Sequence, residues 1–100
     1  MLIKLSPFVV LPGDSTAMSV FVTGDTITVN GVEFDFTPLP EGGELPAGAI
    51  DSEWFEGPVL RRSGRLELTL RLPLSAGASP AACFPEPLLA EADGPVELPQ

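Results

Sequence analysis

The sequence predicts an all-β fold, either a small antiparallel β-sandwich or an open β-barrel of about seven short strands. Twelve prolines and ten glycines divide the 100 residues so finely that few segments can hold a helix of three turns. The segments between them are rich in Val, Ile, Thr, Phe and Leu, which favours strands. We expect one domain, with a β core over residues 1–72. A Pro-rich, acidic C-terminal segment, 73–100, is expected to pack on this core or trail from it.

The clearest local signal is a hairpin within residues 25–36. Asn30 and Gly31 supply the two positive-φ residues that a type I′ turn requires, so Val29 should lie opposite Val32. This register predicts an apolar face and a polar face: Ile27, Val29, Val32, Phe34 and Phe36 against Thr26, Thr28, Glu33 and Asp35.

A second hairpin is predicted around Ser63 and Gly64. In the segment 65–72 that follows, polar and apolar residues alternate without exception. The apolar positions should therefore face a core: Leu66, Leu68, Leu70 and Leu72. A two-residue loop would set Leu66 against Arg61, whereas a three-residue loop that ends in Gly64 sets Leu66 against Leu60. We favour the three-residue loop, since it is a common hairpin type with glycine at its left-handed position.

The remaining segments are less regular. Further strands are predicted at residues 2–10, with a break at Pro7, and at 18–23, 52–55 and 96–98. Residues 37–48 form a loop that is longer than the usual length of about 4–6 residues, which indicates either function or a crossing between sheets. Residues 88–92 are expected to form one helical turn.

The charge of the chain limits its partners. The formal net charge is −9, from 14 acidic and 5 basic side chains. A field of this sign repels phosphate backbones and anionic lipid, so we expect neither a nucleic acid nor a membrane as partner. Four of the five bases are arginines on the second hairpin: Arg61, Arg62, Arg65 and Arg71. They are consistent with a phosphate or carboxylate contact, but we favour a hairpin tip that its charges keep soluble and protect from edge-to-edge pairing.

The sequence lacks the residues that most enzymes use. It contains no histidine and no tyrosine, which removes the commonest general base and the commonest transition-metal ligand. Cys83 therefore has no histidine partner, and its apolar neighbours predict a buried, inert thiol. No nucleophile elbow or phosphate-binding loop is present. We therefore predict a protein that is not an enzyme and uses no metal and no cofactor.

One segment combines aromatic and acidic side chains and is the candidate binding site. Its four residues are Trp54, Phe55, Glu53 and Glu56. Such a group could hold a sugar or a basic peptide. Strand alternation would nevertheless place Glu53 and Phe55 on one face and Trp54 and Glu56 on the other. Trp54 is therefore interpreted either as a core residue or as part of an exposed contact patch.

Several motifs resemble those of a known group of proteins. They are residues 24–36, Pro38-Leu39-Pro40, residues 52–59, Phe84-Pro85-Glu86-Pro87 and Asp93-Gly94-Pro95-Val96. Together they resemble a group of short uncharacterised proteins encoded in tailed bacteriophages and prophages of proteobacteria, for which no activity is established. The resemblance implies a phage-derived protein encoded near tail genes. It implies no site residue, because the shared motifs are turn and core residues.

These observations lead to one functional hypothesis and two alternatives. We predict a non-enzymatic phage or prophage protein that acts through protein–protein contacts, in tail structure or in tail assembly. It would lie in the cytoplasm of the bacterial host or in a virion, with a phage structural protein or a host protein as its partner. The alternatives are an acidic modulator that binds a basic surface of a host protein and a carbohydrate-binding module that uses Trp54 and Phe55.

Overall fold

The computed structural model describes residues 1–11, 18–90 and 92–98. These residues form nine strands in two sheets. Sheet A has the order β5-β6-β7-β1-β8, and sheet B has the order β4-β3-β2-β9. The strands are β1 Leu2–Val9, β2 Val20–Thr23, β3 Thr26–Val29, β4 Val32–Asp35, β5 Glu44–Leu45, β6 Val59–Arg62, β7 Arg65–Leu74, β8 Leu88–Leu89 and β9 Gly94–Pro95.

The two sheets are open and share one apolar core, so the predicted all-β class is confirmed and the sheets do not close into a barrel. Residues that are fully buried come from both sheets, among them Ile3 and Leu70 of sheet A and Ile27 and Val29 of sheet B. No polar or charged residue among the described ones is buried. The described residues include no helix long and apolar enough to cross a membrane.

The first predicted hairpin is confirmed in every detail of its register. Asn30 and Gly31 have φ values of 51° and 83°, and Val29 pairs with Val32. The apolar face points to the core, where Ile27, Val29 and Phe36 are buried. Local turn chemistry and strand alternation are sufficient to specify this element because both favour the same register.

The loop of the second hairpin is two residues long, and the prediction of three residues is wrong. Arg61 pairs with Leu66 and Arg62 with Arg65, so Ser63 and Gly64 form the turn, with φ values of 53° and 75°. Arg61 therefore lies on the same face as Leu66. The side chain of Arg61 tolerates this position because its guanidinium reaches polar partners at the margin of the core.

Sheet A contains one parallel pair, which the prediction of antiparallel pairing did not include. β1 runs parallel to β7, with Ile3 opposite Leu68 and Leu5 opposite Leu70. β1 continues through Pro7 without the predicted break. Proline is tolerated there because β8 covers β1 only at Leu2 and Ile3, so the later part of β1 is an edge.

The C-terminal segment contributes to both sheets. β8 pairs with β1 of sheet A, and β9 pairs with β2 of sheet B. Two local predictions are wrong here. Leu88 and Leu89 form a strand and no helical turn, and β9 lies at Gly94–Pro95 and not at residues 96–98. The helical turn of this segment is Pro80–Cys83, with Ser79 as its N-cap and proline at its start.

The predicted strand at 52–55 is reduced to a single bridge between Phe55 and Leu70. Two backbone hydrogen bonds flank it, from the Glu56 amide to the carbonyl of Thr69 and from the Arg71 amide to the carbonyl of Trp54. Gly57, with φ of 76°, then turns the chain before β6 begins. Residues 37–43 carry the chain from sheet B to sheet A, so the loop is a crossing between sheets. It is shorter than the predicted 37–48, because Glu44–Leu45 forms β5 and Ala47–Ala49 forms a 3-10 turn.

Candidate protein-contact site

The four residues of the predicted binding segment divide between the core and the surface. Phe55 is buried, with 6% of its surface exposed, and its ring meets Phe34 and Phe36 in edge-on contacts at centroid distances of 4.9 and 5.9 Å. Trp54 is half-buried and packs against the same core. Glu53 and Glu56 are exposed. The structure therefore does not bring the four side chains together on one surface, and their role in binding stays a prediction.

β4 is the longest of the four outermost strands, and its free edge is uninterrupted, whereas the open part of β1 contains Pro7, which has no N–H to offer. β4 is the outermost strand of sheet B and pairs only with β3 among the described residues. It has four residues, whereas the edge strands β5, β8 and β9 have two each. A longer open edge offers more unpaired backbone groups to another chain. β4 is thus the candidate site for contact with a partner strand.

The turn of the first hairpin determines which backbone groups of β4 are free. In a two-residue hairpin the residues that flank the turn exchange hydrogen bonds, so Val32 and Phe34 direct their N–H and C=O groups towards β3. The amide of Phe36 continues the same pattern with a bond to the carbonyl of Asp25. The N–H and C=O groups of Glu33 and Asp35 therefore point outward from the edge.

The side chains along this edge have two distinct characters. Val32 and Phe34 lie on the face that looks towards the core, but Val32 remains 55% exposed at the tip, and Phe34 is half-buried. Glu33 and Asp35 lie on the outer face and are exposed. An incoming strand would therefore meet an apolar row on one side and an acidic row on the other.

Asp35 is a fixed negative charge at the end of β4. The Asp35 carboxylate accepts hydrogen bonds from the hydroxyl of Thr37 at 2.6 Å and from its amide at 2.9 Å. The bond from the Thr37 hydroxyl contributes most to holding the pKa of Asp35 below its ordinary value, and the bond from the Thr37 amide comes next. Desolvation opposes them, and a bond from the Thr26 side chain lowers the pKa least. The two bonds from Thr37 also fix the position of the carboxylate at the end of β4.

The charges of the protein are distributed unequally between the two sheets. All five basic residues lie on β1, β6 and β7 of sheet A, and the strands of sheet B carry none. Arg61 turns inward, while Arg71 lies on the outer face with its guanidinium 4.3 Å from the centre of the Phe8 ring. Each of the two interpretations of the arginines therefore fits different residues. Arg61 contacts a carboxylate, whereas Arg62 and Arg65 are exposed at the hairpin tip, as expected of charges that keep a hairpin soluble.

The described residues contain no candidate metal centre. No group of three or more candidate metal ligands occurs among them. The prediction of a buried Cys83 is wrong, because Cys83, the last residue of the helical turn, is exposed. Ala82 of the same turn is buried, and it packs with Leu72 and Leu74 in a small second apolar cluster. An open cleft of about 410 Å³ near β8 and β9 has mainly apolar walls, and Glu97 is charged among the described residues that line it.

Comparison with family models, with curated proteins and with solved structures found no match to the chain. The resemblance to phage and prophage proteins therefore stays an expectation from the sequence motifs.

The sequence predicts the first hairpin correctly, but it does not indicate that β4 is a site. Whether a strand is central or at an edge depends on the order of strands in the sheet, and this order is set by contacts between distant segments. One signal was present, since Glu33 and Asp35 alternate on the strand in the way that protects natural sheet edges from aggregation.

Proposed function

We propose that this protein is a non-enzymatic phage or prophage component that acts through protein–protein contact, in tail structure or in tail assembly. The contact is made by strand addition, in which an extended segment of the partner pairs with the free edge of β4. The observation that carries the proposal is this four-residue edge, with its outward backbone groups at Glu33 and Asp35.

Strand addition suits the chemistry of this edge. Main-chain hydrogen bonds supply affinity to an added strand, and side chains at alternating positions supply specificity. The edge is pre-organised, because β4 is held to β3 by a tight type I′ turn and by a continuous register. Little ordering cost therefore falls on this side of the contact.

A proline substitution in β4 tests this proposal. Glu33→Pro removes an outward N–H that the β3–β4 ladder does not use, while Glu33→Ala removes the same side chain and keeps the N–H. Tagged wild-type and variant chains are used to capture proteins from a lysate of bacteria that produce the phage, and captured proteins are identified by mass spectrometry. Folding of each variant is checked by its circular dichroism and urea midpoint.

We expect the wild-type and Glu33→Ala chains to retain the same phage structural protein and the Glu33→Pro chain to lose it. Retention by a correctly folded Glu33→Pro chain would contradict strand addition at β4. Failure of the wild-type chain to retain any phage structural protein would contradict the phage assembly function.

The acidic modulator of a basic host protein remains the second candidate, and the absence of any base on sheet B favours it. The salt dependence of partner binding distinguishes the acidic modulator from strand addition. Attraction between exposed charges is screened within about 10 Å at 0.1 M salt, so a modulator should release its partner as salt rises. A partner held by backbone pairing should be retained. The carbohydrate-binding alternative is weaker, because Phe55 lies in the core and leaves Trp54 as the one ring of the predicted pair that could meet a sugar.

A further inference from the structure

We propose that the strand added to β4 is a segment in which basic and apolar residues alternate, with the basic residues level with Glu33 and Asp35. This inference rests on the proposed function and specifies the chemistry of its partner. It excludes a second copy of this chain as the occupant of the edge.

The period of the β-strand makes the pattern specific. Glu33 and Asp35 are two residues apart and lie on the outer face of sheet B, so both face the same side of an added strand. A residue directly opposite each of them would have its Cβ about 5 Å away, within reach of a Lys or Arg side chain. Two basic residues at positions i and i+2 of the partner would therefore meet the two carboxylates.

The other face of the added strand meets apolar surface. Val32 and Phe34 point to the core side, and the exposed half of Val32 leaves apolar area without cover at the edge. Apolar residues between the basic ones would cover this area and extend the core past β4. The two rows together require alternation, because neither an entirely basic nor an entirely apolar segment satisfies both faces.

The charges near the edge argue against self-pairing. If the β4 edges of two copies paired, Glu33 and Asp35 of one copy would lie beside the same residues of the other. Carboxylates in direct opposition repel, and the strands of sheet B contain no base to separate them. The net charge of −9 adds to this repulsion and favours a basic partner.

The test uses short synthetic peptides with a fluorescent label, and binding is measured by anisotropy. The probe peptide alternates Lys and Val, and its counterpart replaces each Lys with Ser. A third peptide is the Lys–Val sequence with an N-methyl group on the backbone of every residue, which blocks strand pairing in either direction without any change to the protein. We expect the Lys–Val peptide to bind about tenfold more tightly than the Ser–Val peptide, and the methylated peptide not to bind.

Variants of the protein locate the contact. The double variant Glu33→Gln/Asp35→Asn keeps every backbone group of β4 and should bind the Lys–Val peptide about as weakly as the wild type binds the Ser–Val peptide. The matched control is Asp51→Asn/Glu86→Gln, which removes the same two charges from exposed positions outside sheet B. Its affinity should stay within about twofold of the wild type.

The outcomes separate this inference from the proposed function. If both peptides bind equally well and the methylated peptide does not, strand addition stands and the basic partner is overturned. If the methylated peptide binds as well as the probe, the contact is not strand addition and the proposed function fails. Failure of the Lys–Val peptide to bind would overturn the inference. A dimer of the protein alone that Glu33→Pro dissociates would also overturn it, because the edge would then hold a second copy.

Discussion

The guanidinium of Arg61 donates a hydrogen bond to the carboxylate of Asp25 across 3.1 Å, and this contact joins sheet A to the β2–β3 turn of sheet B. Arg61 also donates to the carbonyls of Phe36 and Leu39, so one side chain satisfies three acceptors at the margin of the core. Its own backbone binds Gly42 and Gly43 of the crossing loop. Arg61 therefore fixes the point at which the chain passes from one sheet to the other.

Replacement of Arg61 by alanine should lower the free energy of unfolding by about 2–3 kcal/mol, because charged hydrogen bonds are lost and two carbonyls lose a donor. Urea denaturation measures the change. The matched control is Arg62→Ala, which removes an exposed arginine next to it and should cost less than about 0.5 kcal/mol. If Arg61→Ala lowers the free energy of unfolding as little as Arg62→Ala does, the contacts of Arg61 contribute little to stability.

Gly31 should tolerate a β-branched residue poorly. Its φ of 83° is unfavourable for any L-residue with a branched Cβ, although no atom lies close enough to clash with an added Cβ. Gly31→Val should therefore destabilise the protein by more than about 1 kcal/mol through backbone strain alone. Gly48→Val is the control, since Gly48 also has open space around it but no positive φ. An unchanged urea midpoint for Gly31→Val would contradict the assignment of a type I′ turn.

Phe55 should behave as a core residue. Phe55→Ala removes the ring that contacts Phe34 and Phe36, and it should cost about 3–5 kcal/mol. Phe84→Ala is the control, because Phe84 is 83% exposed, and its loss should change stability by no more than about 0.5 kcal/mol. A small effect at Phe55 together with a large effect at Phe84 would reverse our assignment of core and surface.

The two hairpins show which parts of the fold local sequence can predict. At Asn30-Gly31 the turn chemistry and the alternation agree, and no contact with a distant segment is needed to choose the register. At Ser63-Gly64 the local preference for an apolar partner opposite Leu66 was misleading. The observed register depends on the acceptors near Arg61, and on Glu41, which accepts a hydrogen bond from the Gly64 amide at 2.8 Å. These partners come from the crossing loop and from sheet B, which local patterns do not locate.

The depressed pKa of Asp35 makes a prediction about acid stability. A carboxyl group with a lower pKa in the folded than in the unfolded protein stabilises the fold above its unfolded pKa of about 4. This contribution is lost as the pH falls through the folded pKa. Thr37→Val removes the hydroxyl donor, so the pKa of Asp35 should rise towards its ordinary value. An NMR titration of the carboxyl group measures the change. Thr26→Val should raise the pKa less, and the reverse order would contradict our assignment of the main donor.

The candidate site could be predicted only in part, because it too depends on contacts between distant segments of the chain. The sequence identified β4, its acidic face and its apolar face correctly. It could not show that β4 lies at an edge, because this depends on where β2 and β9 pair. The sequence indicated Trp54 and Phe55 as candidate binding residues. It could not show that Phe55 is buried, because this burial depends on the bridge to Leu70 and on the aromatic rings next to it in sheet B.

Amide hydrogen exchange along β4, resolved by NMR, tests the central claim most directly. In the free protein we expect the amides of Val32 and Phe34 to exchange slowly, since they bond to β3, and those of Glu33 and Asp35 to exchange rapidly, since they face outward. Addition of the Lys–Val peptide should slow the exchange of Glu33 and Asp35 and leave that of Val32 and Phe34 unchanged. Slow exchange at Glu33 and Asp35 in the free monomer would show that the edge is already covered. That result, or rapid exchange in the presence of saturating peptide, would contradict strand addition at β4.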